Sequence, residues 1–151
     1  MISENTLLEI KNSRTLKNLV ELFANEAQTL IRYQRFASTA RHEGFQTIAE
    51  MFERLSQNQT IVVEGHLDFL RNISDPLSGL PLGPTTDNLN AALAAEATSQ
   101  DIYSSATRMA EDEGFVDIAS WLRSTAASKR IHQERISAAV KEISEQENHK
   151  G

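Results

Sequence analysis

The chain has 151 residues, a net charge of −6 and no cysteine. That length suits a single domain with its own core; the acidic balance, with no run of Lys or Arg, argues against a nucleic-acid surface; and the missing cysteines exclude disulfides, thiolate metal centres and cysteine nucleophiles. The opening MISENTLLEIKNSR lacks the basic and apolar regions of a signal peptide, and no apolar run approaches the roughly 18–20 residues that span a bilayer, so a cytoplasmic protein with no membrane partner is expected.

Residues 1–13 read as a lead. The first helix is expected over about 14–42, capped by Ser13 or Thr15, with Leu19, Leu22, Phe23, Leu30, Tyr33, Ala37 and Ala40 recurring every three or four positions. Glu43-Gly44-Phe45 follows, where glycine suits a left-handed helix stop before a new helix. The second helix is expected over about 46–73, striped by Ile48, Phe52, Leu55, Val62, Phe69 and Ile73. All three prolines and two glycines then fall within residues 75–85, which breaks any helix. The third helix is expected over about 87–112, capped by Thr86 or Asp87, and rich in alanine. Glu113-Gly114-Phe115 repeats the earlier stop. The fourth is expected over about 115–145, with Ile118, Leu122, Ile136, Val140 and Ile143 on its stripe, and 146–151 is a polar tail.

The two halves repeat at an offset of 70. Asn18 matches Asn88, Leu19 matches Leu89, Ala24 matches Ala94, Tyr33 matches Tyr103, Ile48-Ala49 matches Ile118-Ala119 and Ile61 matches Ile131. The fold class expected is therefore all-α: a four-helix bundle over 14–145, built from helical hairpins at 14–73 and 87–145. The linker, 74–86, could run the bundle's length and make the middle helices parallel, as in ferritin-like folds; it could return shortly, giving up-down topology; or it could let two chains exchange hairpins.

Each repeat places an acid in its apolar stripe: Glu26, and at the same offset Glu96. Their helical partners carry Gln59 and Lys129 at one matched position and Val62 and His132 at another. An acid there needs a partner, because an unpaired buried charge is costly. Paired acids with a spacing of three on the facing helices are the layout of a carboxylate-bridged dimetal site. His66 lies one turn beyond Val62, Ser99 one turn beyond Glu96, and His42 and His149 carry no such pattern. The charges of Arg32 and Arg41 read as solvated.

Residues 23–55 and 93–123 resemble the rubrerythrins, through Glu26, Gln28, Arg32-Tyr33 and Phe36-Ala37 ahead of Glu43-Gly44, and the resemblance covers about 14–143. It implies a ferritin-like bundle with a crossover linker, a di-iron centre, peroxide reduction and a homodimer. Carried over by residue, it retains the acids Glu26 and Glu96, reads the first Glu-x-x-His as Gln59-x-x-Val62, and reads the second as Lys129-x-x-His132. A further family acid falls at Ser99, and the cysteine-ligated rubredoxin module is absent, so the chain looks like an erythrin type with a degenerate metal site.

The reading favoured by these residues has no metal cofactor. Glu26, Gln59, Glu96, Lys129 and His132, with Tyr33 and Tyr103 packing or donating to the opposite acids, form a core polar network in a structural or interaction protein. The alternative is an enzyme: a peroxide-reducing oxidoreductase with Fe or Mn held by Glu26, Glu96 and His132. A third idea has Lys129 gripping a small anion in the former metal cavity.

Overall fold

The computed structural model describes residues 3–149; the ends of the lead and of the polar tail lie outside them. All regular structure in that span is helical: α1 (Glu4–Lys11), α2 (Arg14–His42), α3 (Gln46–Arg71), α4 (Thr85–Asp112) and α5 (Val116–Asn148). The four long helices correspond to the four expected ones. The lead departs from expectation, since it contains α1, opened by Ser3, whose side chain accepts from Thr6 N. Helix α5 also runs three residues into the segment read as a tail.

The chain divides into two compact units, Met1–Pro76 and Leu77–Gly151. In the first, α2 packs along α3 and α1 touches α2; in the second, α4 packs along α5. Ser13 caps α2, accepting from Leu16 N at 3.1 Å, while its hydroxyl donates to Ile10 O at 2.7 Å. Thr86 and Asp87 do not cap α4. Pro84 takes the cap position and offers no side-chain bond; instead Asn88 holds Gly83, accepting from its N–H at 2.8 Å and donating to its carbonyl at 3.0 Å.

Both hairpin tips are the same built object. Gly44 and Gly114 take φ of 86° and 82°, a left-handed conformation that a Cβ disfavours. Phe45 N donates to Ala40 O and Gly44 N to Arg41 O; Phe115 N donates to Ala110 O and Gly114 N to Glu111 O. This is the doubly bonded helix stop in which two orphan carbonyls are satisfied. Ala40 and Ala49 flank the first tip and Ala110 and Ala119 the second, all buried. Their small side chains let the paired helices approach closely just where the chain reverses.

Candidate functional site

Each hairpin places its acid opposite the residue that faces it across the helix pair. In the first, Glu26 on α2 is half-buried. Gln59 on α3 donates from Nε2 to the Glu26 carbonyl at 3.2 Å and to its carboxylate Oε2. One amide therefore pins both backbone and side chain of the acid. Glutamate at position 59 could not do this when ionised, since a carboxylate only accepts.

In the second hairpin, Lys129 Nζ on α5 stands 3.0 Å from Glu96 Oε2 on α4, with the side chains 22% and 18% exposed. The approach is ionic rather than an aligned hydrogen bond, and Oε2 has no hydrogen-bond partner. His132 Nδ1 lies 3.9 Å from the other carboxylate oxygen, with its ring 57% exposed. The Lys129 ammonium also sits 5.9 Å from the centre of the Tyr103 ring, within range of a cation–π attraction. Tyr33, its repeat counterpart, packs on Phe52 at 5.9 Å, and Phe52 in turn meets the edge of Phe36.

Six of the seven sequence-predicted residues thus fall into two within-hairpin sets. Glu26 with Gln59 is one; Glu96 with Lys129, His132 and Tyr103 is the other. Tyr33 touches the aromatic group beside the first set. His66 is committed locally: its Nδ1–H donates to Val62 O at 2.7 Å. His149 does likewise to Glu145 O. Ser99 lines a cleft of about 200 Å³ together with Leu77, Glu96, Ile102 and Lys129.

Sequence reasoning passed over Gln100, one turn beyond Glu96. Its Nε2 is buried without a hydrogen-bond partner. The signal was available, because the repeat counterpart of Gln100 is the stripe residue Leu30. Arg41 and Arg32 are exposed, in keeping with their reading as solvated charges, and each also has a surface partner. Arg41 pairs with Glu53 and donates to Gln46 at 3.0 Å, while Arg32 lies over the Phe36 ring at 5.4 Å. The second tip repeats the first ion pair with its charges reversed, Glu111 on α4 with Arg123 on α5.

Known proteins share this framework. The family description Rubrerythrin matches residues 87–151. The chain is 33% identical over 145 residues to Rubrerythrin-1 of Clostridium acetobutylicum, covering 90% of this chain and 74% of that protein. It is 33% identical over 139 residues to rubrerythrin of Porphyromonas gingivalis, covering 89% and 70%. To rubrerythrin of Nitratidesulfovibrio vulgaris it is 30% identical over 141 residues, covering 90% and 74%. With its all-α, ferritin-like framework, the chain belongs to the rubrerythrin family.

Proposed function

We propose that this rubrerythrin-family chain works without iron, as a structural or interaction protein whose acids are partnered by side chains. The carrying observation is Lys129 Nζ at 3.0 Å from Glu96 Oε2, at the position where the family resemblance places a metal-binding acid. An ammonium there repels a divalent cation and supplies the charge that a metal would have given. Gln59 does the corresponding work for Glu26 by donation rather than by charge.

The donor set fits a di-iron pair poorly. Within either hairpin, among the described residues, no three His, Asp or Glu side chains gather around a point that could hold a metal ion. The first hairpin offers Glu26, already engaged by Gln59; the second offers Glu96 and His132, with Lys129 against the carboxylate. Two metals bridged by carboxylates need more donors than these.

A second reading has one observation in its favour. Glu96 and His132 do converge, at 3.9 Å, and could be two of the ligands of one Fe or Mn in a peroxide-reducing enzyme, if Lys129 withdrew. Peroxide consumption separates the two. The purified protein, incubated with ferrous iron and then desalted, is expected to consume peroxide no faster than buffer. The variant carrying Gln59→Glu, Val62→His and Lys129→Glu is expected to gain turnover. Turnover by the parent protein after desalting would overturn the metal-free reading.

A further inference from the structure

Within the second hairpin, α4 and α5 leave a groove of about 900 Å³ between them, with Leu80 of the linker among its walls. All of it belongs to the unit Leu77–Gly151. Small-molecule sites have volumes of about 300–1,000 Å³, so the space suits a ligand. The repeat shows how it arose. In the first hairpin the matched positions carry Phe23, Val63 and Leu67, all half-buried apolar groups. At the 70-residue offset these become Leu93, Gln133 and Ser137, so bulk is lost and polarity gained along one flank. None of Glu96, Lys129, His132 or Tyr103 lines this groove, which sets it apart from the acid and its partners.

The walls differ in chemistry. Leu80, Leu93, Ala94 and Ala97 make an apolar side. Gln133 and Ser137, both half-buried, make a polar side on α5. Arg130 and Lys141 also line the groove; three helical turns, about 16 Å, separate them along α5. Arg130 stands where the first hairpin has Thr60, so its charge is new to the second, whereas Lys141 keeps the charge of Arg71. Among the described residues, acids pair with Arg41, Arg71, Arg123, Lys129 and His132; Arg130 and Lys141 belong to no such pair. Glu134 lines the groove as well, so two cations and one acid leave it with one net positive charge. In a chain of net charge −6, that is a local attraction for an anion.

We propose that this groove binds an elongated amphipathic monoanion, a carboxylate on an apolar chain. The carboxylate meets Arg130, whose planar fork can donate to both oxygens, and the Gln133 amide, one turn away, supplies a further donor. The chain lies along Leu93, Ala94, Ala97 and Leu80, and the methylene stem of Lys141 covers its far end. Glu134 disfavours a doubly charged phosphate head, because like charges repel. A neutral amphiphile would gain the apolar contact and leave Arg130 unmatched. The site uses neither Glu26 nor Glu96, so it stands or falls separately from the metal-free reading.

Isotope-labelled full-length protein, titrated with decanoate below its micellar concentration and followed by amide NMR shifts, tests this. Saturable shifts are expected at Ala94, Ala97, Arg130 and Gln133. Decanol should bind about tenfold more weakly, and acetate, a head without a chain, should not saturate. Arg130→Gln should weaken decanoate by about tenfold; the side chain is exposed, so the fold is not at risk. Gln133→Val with Ser137→Leu, which restores the first hairpin's residues, should abolish the shifts by refilling the groove. Shifts that do not saturate would overturn the site. So would shifts that map to the exposed Phe69 and Trp121 instead, decanol binding as tightly as decanoate, or affinity unchanged in Arg130→Gln.

Discussion

The two acids solve the same problem by different chemistry, and the difference is measurable. Lys129→Ala leaves Glu96 largely buried with only a half-exposed histidine nearby, so stability should fall by roughly 1–3 kcal/mol, the cost of orphaning such a group. Urea unfolding should show a lower midpoint at unchanged slope. Adding Glu96→Gln to Lys129→Met should recover most of that loss, because both charges are then gone and the shape is kept. Gln59→Leu should cost a similar roughly 1–3 kcal/mol by stripping Glu26 of its donor. A Lys129→Ala protein as stable as the parent would mean that the ion pair contributes nothing. These residues were legible in the sequence because the 70-residue offset sets Gln59 against Lys129 and Val62 against His132. Gln100 is harder to read, because its signal is neither an acid nor a ligand spacing but a polar side chain replacing Leu30 in a stripe.

At the level of elements, the glycines discriminate between backbone and packing effects. A Cβ at Gly44, Gly114 or Gly65 meets no atom within 4 Å, so only conformation is at stake. Gly44→Ala and Gly114→Ala should each destabilise by about 1–2 kcal/mol, the cost of a left-handed residue that carries a Cβ. Gly65→Ala, inside α3, should stabilise by about 0.5–1 kcal/mol; thermal unfolding of the three variants gives the sign at once. The tip ion pairs are about half exposed. Exchanging Arg41 and Glu53 to match the inverted pair at the second tip should therefore change stability by less than about 1 kcal/mol. The tips were readable from Glu-Gly-Phe alone, since few contexts other than a left-handed stop demand that glycine twice. Helix α1 was not, because eight residues with a weak stripe carry little periodic signal, and its start depends on one hydroxyl at Ser3. The start of α4 was misassigned for a related reason: Thr86 and Asp87 have the chemistry of a cap, but the fixed φ of Pro84 and the double grip of Asn88 on Gly83 set the boundary earlier.

For the whole molecule, the pattern repeated at the 70-residue offset announced the all-α class and the family; the structure bears out the first and the relatives the second. What periodicity could not give was the side-chain partner of each acid, which depends on register across a helix pair and not on spacing along one helix. The metal question belongs to this scale because a di-iron centre needs donors from both repeats. It is tested most directly by elemental analysis of protein expressed with added iron and manganese, then dialysed, beside the variant carrying Gln59→Glu, Val62→His and Lys129→Glu. Neutralisation by Lys129 predicts far less than one transition metal per parent chain and a rise toward two in the variant; one or more metals retained by every parent chain would contradict it.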